Sequence, residues 1–145
     1  MSEPQSRAAS PQIVLIEDNR GDVGLIREAL EQHGVCCDVT VFGNGEIATD
    51  FIDEINAGRE RCPSLFIVDL NLPKKPGKEV LKYLRASAAG HDAAVVVFTS
   101  SNSQKDRDDV APLAPLHYLR KPSSLDEFMA LGALFKQIIA DRCSR

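Results

Sequence analysis

The stretch LFIVDLNLPKKPG, residues 65–77, is an apolar run that ends on the carboxylate of Asp69 and continues into a turn. A strand that crosses a core and stops on a carboxylate holds that carboxylate at the end of the strand. Two other apolar runs are also followed by charged residues. IVLI, residues 13–16, is followed by Glu17 and Asp18, and LHYL, residues 116–119, is followed by one arginine and then Lys121. Three acids and a lysine at the ends of separate strands predict a small charged pocket.

The composition is typical of one globular domain with a hydrophobic core. The 145 residues are 43% hydrophobic and 26% charged, with a net charge of −4. An acidic chain is a poor match for nucleic acid or an anionic membrane, because both are bound through basic surfaces. No apolar stretch approaches the roughly 20 residues that span a bilayer, and residues 1–11 lack the apolar segment of a signal peptide. We therefore expect a cytoplasmic protein with a disordered leader over residues 1–11 and one domain over residues 12–145.

The hydrophobic pattern predicts alternating strands and helices. The predicted strands cover residues 12–16, 38–42, 64–69, 94–99 and 116–119, and the predicted helices cover residues 22–33, 46–56, 77–87, 104–110 and 125–141. Asp22 is the expected cap of the first helix, and Ser124 with Glu127 forms a capping box before the last. Nearly continuous apolar strands are typical of a parallel sheet buried on both faces. The order predicts an α/β fold, with helices on both faces of a five-stranded parallel sheet and ligands bound at the carboxyl ends of the strands.

The residues at those strand ends predict phosphoryl transfer to a carboxylate. An aspartate is ionised at pH 7 and can act as a nucleophile without an activating base. Glu17, Asp18 and Asp69 would repel one another unless a cation lies among them, and oxygen ligands suit Mg²⁺. Lys121 adds a compact positive charge, and Thr99 adds a hydroxyl. A metal ion and a lysine would offset the negative charge of an incoming phosphoryl group.

Four short strings carry a family resemblance. They are IVLIEDN at residues 13–19, VDLNLP at 68–73, VFTS at 97–100 and YLRKP at 118–122. In this order and spacing they resemble the receiver domain of bacterial response regulators. The resemblance implies the flavodoxin-like strand order 2-1-3-4-5. It also implies a signalling protein rather than an enzyme, with self-catalysed phosphorylation and dephosphorylation.

The resemblance implies roles for the acids and the lysine. Asp69 would accept a phosphoryl group from a histidine kinase, and Lys121 would pair with a phosphoryl oxygen. Asp18, Asp69 and the backbone carbonyl of Asn71 would ligate Mg²⁺. Glu17 would hold the metal through water.

A switch is implied as well. Thr99 would move its hydroxyl to a phosphoryl oxygen, and Tyr118 would change rotamer in the active state, so that partner binding changes. The Lys121–Pro122 peptide bond would be cis, which would aim the lysine into the pocket.

Two other classes of protein place similar residues at strand ends. An Asp-nucleophile phosphatase of the haloacid-dehalogenase type normally has a second acid two residues after the nucleophile, where this chain has Asn71. A flavodoxin-like FMN binder would offer hydroxyls and glycines to a phosphate, whereas this first loop is EDNRGD, whose acids repel phosphate. Turnover of a phosphate ester, or a yellow protein, would identify these alternatives.

The output is expected to depend on other proteins. The sequence ends at Arg145, soon after the last predicted helix. We therefore expect a stand-alone, single-domain response regulator that binds another protein or passes the phosphoryl group on as a phosphorelay intermediate. The strings DVGLIREAL and DLNLP most resemble small regulators paired with phytochrome-type or hybrid histidine kinases.

The last helix predicts a second interface. Its apolar residues cover an arc of roughly 220°, wider than the 100° or so that one sheet face needs. Phe128 and Phe135 lie near the centre of that arc, so they should face the core, whereas Leu134 and Ile138 should be left over. Exposed apolar surface of this kind usually marks a partner site. We expect a homodimer through this helix; the alternatives are the kinase, the leader or the connection between the second and third strands.

Overall fold

A computed structural model of the chain describes residues 10–143, apart from the side chain of Cys143, so that residues 1–9 of the predicted leader lie outside it. The strands are β1 (Gln12–Ile16), β2 (Asp38–Phe42), β3 (Leu65–Val68), β4 (Val95–Thr99) and β5 (His117–Arg120). The α-helices are α1 (Arg20–Gln32), α2 (Gly45–Asn56), α3 (Gly77–Ala86), α4 (Gln104–Val110) and α5 (Leu125–Cys143), and a short 3-10 helix (Ala111–Leu113) follows α4. All strand pairs are parallel, in the order β2-β1-β3-β4-β5. The predicted fold class and strand order are confirmed.

The core has two layers, one on each face of the sheet. Alternate residues of the central strands point to opposite faces, so that Leu15 and Ile67 join the layer under α1 and α5, while Ile16 and Val68 join the layer under α2, α3 and α4. All five residues of β4 and all four of β3 are buried. These strands therefore hold the residues that follow them in fixed positions.

The cap of α1 differs from the prediction. Asn19, not Asp22, is the N-cap, because its Oδ1 accepts a hydrogen bond from the Asp22 backbone N–H at 3.0 Å. Asp22 is therefore the third residue of α1, and its carboxylate is available for a contact elsewhere.

Helix α5 is buried over a wider arc than predicted. Phe128 and Phe135 are buried, as expected, but Ile138 is only 7% exposed, so the expectation that it is left over is wrong. Leu134 packs partly against the same core layer. Ile138 lies near the start of β5, whereas α1 packs closely at Gly132, where an added Cβ would lie 2.2 Å from the carbonyl oxygen of Ala29. Helix α1 therefore covers one side of α5 while the sheet covers another. No described helix combines the length and apolar character needed to cross a membrane.

Arg85 links two chain segments at the edge of the sheet where the strands begin. Its guanidinium donates to backbone carbonyl oxygens in the loop before β4 and at the end of the 3-10 helix, those of Gly90, His91, Ala93, Leu113 and Ala114. A guanidinium has five N–H donors in a planar fork, which suits several carbonyls at once. The side chain thereby ties the loop before β4 to the 3-10 helix that follows α4.

Candidate functional site

The carboxyl ends of the central strands bring the predicted acids together. Ile16 of β1 pairs with Val68 of β3, so the residues that follow them, Glu17 and Asp69, lie side by side. The Asp69 N–H donates to the carbonyl of Ile16 at 3.0 Å, which continues the ladder by one residue. The loop after Asp69 is also tight, because a Cβ at Gly77 would lie 2.2 Å from the Asp69 carbonyl oxygen. Asp69 is thus held between β1 and the start of α3.

Three carboxylates form a group that could hold a metal ion. One ligand oxygen each from Glu17, Asp18 and Asp69 lies within 4.8 Å of the other two. Glu17 and Asp69 are buried, at 1% and 4% exposure, whereas Asp18 is exposed. Oxygen-only ligands with access to water suit a hard divalent cation such as Mg²⁺, which keeps several of its waters. In addition, Glu17 Oε1 is buried and accepts no well-aligned hydrogen bond from a described residue, although the Lys121 ammonium lies 2.9 Å away.

Lys121 lies among the same acids. Its Nζ is 2.7 Å from Asp22 Oδ2, 2.9 Å from Glu17 Oε1 and 3.0 Å from Asp69 Oδ2. The contacts with Asp22 and Asp69 are hydrogen bonds, whereas the contact with Glu17 has the distance of an ion pair without hydrogen-bond alignment. Burial lowers the pKa of Lys121, but the hydrogen bonds and charges of its acidic partners more than offset burial and raise the pKa above its usual value. The lysine is therefore a permanent cation in this pocket.

Glu17 has a perturbed pKa. Burial is the main cause and raises the pKa from 4.5 to about 7, while the negative charge of Asp69 acts in the same direction and Lys121 in the opposite one. Removing a carboxylate from water disfavours its charged form. A divalent cation beside it would favour the ionised form.

The remaining predicted residues surround this cluster. Thr99, at the end of β4, is fully buried, and its Oγ1 accepts from the Ser101 N–H at 3.4 Å. The exposed Asn71 donates its backbone N–H to Asp69 Oδ1 at 3.1 Å, which orients the carboxylate. Tyr118, on β5, donates its hydroxyl to the carbonyl oxygen of Ser101 at 3.1 Å. One loop after β4 thus contacts both predicted switch residues.

The expectation of a cis Lys121–Pro122 bond is wrong. The described residues contain no cis peptide bond. The trans form is intrinsically favoured by about 0.5–1 kcal/mol, and the Lys121 N–H donates to the carbonyl of Thr99 at 2.8 Å. With a trans bond the side chain already reaches the acids.

Sequence reasoning missed Asp22 as a member of the site, since it was assigned only as a helix cap. A usable signal existed: Asp22 lies four residues after Asp18, at the start of α1, and helix starts in this fold point toward the ligand edge of the sheet. That signal places Asp22 near the site but does not identify its partner, because Lys121 lies 99 residues further along the chain.

The chain is similar to known proteins along most of its length. Residues 13–132 match the family model of the response regulator receiver domain. The chain is 32% identical over 126 residues to the response regulator Rcp1 of Synechocystis, covering 82% of each protein. It is also 32% identical over 115 residues to the probable methanogenesis regulatory protein FilR2 of Methanothrix harundinacea, covering 79% of this chain and 74% of FilR2.

Solved structures show the same similarity. The Mn²⁺-bound form of Rcp1 superposes with a TM-score of 0.78 at 28% identity, covering 88% of this chain and 92% of that one. The phosphorylated cyanobacterial phytochrome response regulator RcpA superposes with a TM-score of 0.81 at 30% identity, covering 91% and 95% of the two chains. The chain belongs to the response regulator receiver domain family of two-component signalling.

Proposed function

We propose that Asp69 accepts a phosphoryl group from a histidine kinase in a reaction that requires Mg²⁺. The observation that carries the proposal is the position of the buried Asp69 carboxylate, 3.0 Å from the Lys121 ammonium and beside the carboxylates of Glu17 and Asp18. An Oδ atom of Asp69 forms a bond to phosphorus while the P–N bond of a phosphohistidine breaks. The electron pair of that bond stays on the imidazole nitrogen, which takes up a proton from solvent.

The neighbouring side chains prepare Asp69 for this attack. The Asn71 N–H donates to Asp69 Oδ1 and the Lys121 ammonium donates to Asp69 Oδ2. The Asp69 carboxylate is therefore oriented before the phosphoryl donor binds. Lys121 can then pair with a phosphoryl oxygen, since its charge is permanent in this pocket. Glu17, Asp18 and Asp69 would hold Mg²⁺, with the Asn71 carbonyl as a further ligand. When bound, the metal offsets negative charge on the phosphoryl oxygens.

Intact-mass measurement tests the proposal. Incubation of the protein with acetyl phosphate and Mg²⁺ should add one phosphoryl group, and EDTA should abolish the addition. Asp69→Asn should remain unmodified, and Asp18→Asn should lose labelling through loss of metal affinity. Asp126→Asn is a matched control, because it removes an exposed carboxylate that is not a member of the acidic group. Labelling of Asp69→Asn at the wild-type level would exclude Asp69 as the acceptor.

We further propose that Thr99 and Tyr118 couple phosphorylation to partner binding. Both residues contact Ser101, through its N–H and its carbonyl respectively, so a movement of the Thr99 hydroxyl would change the loop that holds Tyr118. The contact between hydroxyl and phosphoryl oxygen supplies the energy difference between two conformers. Thr99→Ala should accept the phosphoryl group but lose the accompanying NMR shift changes at Tyr118. Shift changes equal to those of the wild type would contradict the coupling.

A phytochrome-type histidine kinase is our proposed donor, with output through a phosphorylation-dependent change in protein binding or through onward transfer in a phosphorelay. The support is the similarity to RcpA, a phytochrome response regulator, and to Rcp1. Competition of phytochrome-type and other histidine kinases for the chain in a phosphotransfer assay tests the pairing. Faster transfer from kinases of other types would contradict it.

A further inference from the structure

Lys121 shares its partners with the candidate metal site. Glu17 and Asp69 are both contacts of the Lys121 ammonium and members of the carboxylate group that could hold a cation. An ammonium and a divalent cation therefore compete for the same two carboxylates. Two positive charges in one small pocket also repel each other, at a strength that partial burial increases.

Asp22 is the partner of Lys121 that lies outside this competition. It is not a member of the carboxylate group, yet its Oδ2 makes the shortest of the three contacts with Lys121 Nζ, at 2.7 Å. Asp22 comes from the first turn of α1, whereas the other two partners follow strands. Both side chains of the pair are largely shielded from water, with exposures of 14% for Lys121 and 19% for Asp22, so the attraction between them is weakly screened.

We propose that Asp22 is a positioning residue that draws the Lys121 ammonium toward α1, so that a divalent cation and the lysine can occupy the pocket together. The inference rests on the proposed function, since it assigns the metal to the acidic group. Without Asp22, the acidic partners of Lys121 among the described residues would be only the carboxylates that the cation needs. Asp22 thereby raises the affinity of the pocket for the metal and keeps the lysine beside Asp69.

The test is calorimetric titration of the full chain with Mg²⁺ and, separately, Mn²⁺. Asp22→Asn should weaken binding about fivefold, the factor that corresponds to the upper end of the energies measured for charge pairs. Removal of the Asp22 charge would also weaken binding by removing a direct long-range attraction between Asp22 and the metal ion. To separate this field effect from an effect through Lys121, the same substitution is made in a Lys121→Met background. A field effect would weaken binding by the same factor in both backgrounds. If Asp22 acts through Lys121, the factor should be at least threefold smaller in the Lys121→Met background.

Controls separate this role from folding and from overall charge. Asp126→Asn removes one carboxylate from the first turn of α5 and should change affinity less than twofold. Urea unfolding should show that Asp22→Asn is folded under the titration conditions; if it is not, Asp22→Ser, which also removes the charge, replaces it in both backgrounds with the same expected losses.

Each outcome decides between the proposals. Unchanged affinity in Asp22→Asn, or an equal loss in both backgrounds, overturns the positioning role alone. A wild type that binds neither ion overturns the metal requirement of the proposed function and the inference with it.

Discussion

Replacing Gly77 by alanine should displace the Asp69 backbone. A Cβ at Gly77 would lie 2.2 Å from the Asp69 carbonyl oxygen and 2.7 Å from the Leu70 Cα. Both atoms belong to backbone and cannot rotate away, so either the start of α3 or the end of β3 must shift. The Gly77 N–H also donates to the Leu70 carbonyl at 2.9 Å, which fixes the two segments together. The substitution therefore acts on the peptide that carries the proposed phosphoacceptor.

The magnitude follows from two opposing effects. Inserting a methyl group into a packed site without space costs about 1–3 kcal/mol. Alanine in a helix is favoured over glycine by up to about 1 kcal/mol, and this gain is smaller at the first position of α3. We expect a net loss of about 1–2 kcal/mol in the free energy of unfolding, or roughly 3–6 °C in Tm. Phosphorylation of Asp69 should slow by more than tenfold, because small misplacements of reacting groups have effects of that size.

Urea unfolding followed by circular dichroism measures the first effect, and acetyl phosphate labelling measures the second. Gly24→Ala is the matched control, because Gly24 lies exposed in α1 and, apart from the backbone of its own helix, its added Cβ would meet no described atom within 4 Å. That variant should be more stable by about 0.5–1 kcal/mol and should label normally. If Gly77→Ala matched Gly24→Ala in stability and labelling rate, the close packing of α3 against Asp69 would contribute neither to stability nor to the position of the phosphoacceptor.

Three further predictions concern pH, a structural arginine and the oligomeric state. Because the pKa of Glu17 is raised to about 7, its contribution to stability is present below about pH 4.5 and lost as the pH rises through 7. A cation favours the ionised form, so the rise in Tm caused by Mg²⁺ should be larger at pH 8 than at pH 5.5 in wild type; an equal rise at the two pH values would contradict this. Arg85→Lys cannot serve five carbonyls and should lower the free energy of unfolding by about 1–3 kcal/mol, whereas unchanged urea unfolding would show that these bonds contribute little. If α5 forms a homodimer, light scattering should give a dimer for wild type and a monomer for Leu125→Glu, whose leucine is 60% exposed; a monomeric wild type at high concentration would exclude the dimer.

The strands and most helices could be predicted because their signals are local. The bounds of β1, β2 and α4 agree with the prediction, and the other elements differ by one or two residues. Buried parallel strands are continuous apolar runs, and the polar residues that end them are distinct in the sequence. Parallel strands present their carboxyl ends at one edge of the sheet. The strand pattern therefore also predicted that the residues after the strands lie close together, namely Glu17, Asp18, Asp69 and Lys121.

The errors arose where three-dimensional packing decides. The first helix offered several polar candidates for its cap, and only the observed bond from the Asp22 N–H selects Asn19. The burial of Ile138 depends on how α5 lies against the start of β5, which the periodicity of α5 alone cannot indicate. The pairing of Asp22 with Lys121 joins the first helix to the residue that follows the last strand, so it forms only when the sheet has formed.

Chemical mapping of the phosphoryl group tests the central claim most directly. The protein is treated with acetyl phosphate and Mg²⁺ and then with borohydride, which reduces an acyl phosphate of aspartate to homoserine, and the peptides are sequenced by mass spectrometry. The account predicts homoserine at position 69 alone, and none when EDTA is present during phosphorylation. Homoserine at position 18 or 22, or a borohydride-resistant phosphate on a hydroxyl such as that of Thr99, would contradict the assignment of Asp69 as the phosphoacceptor.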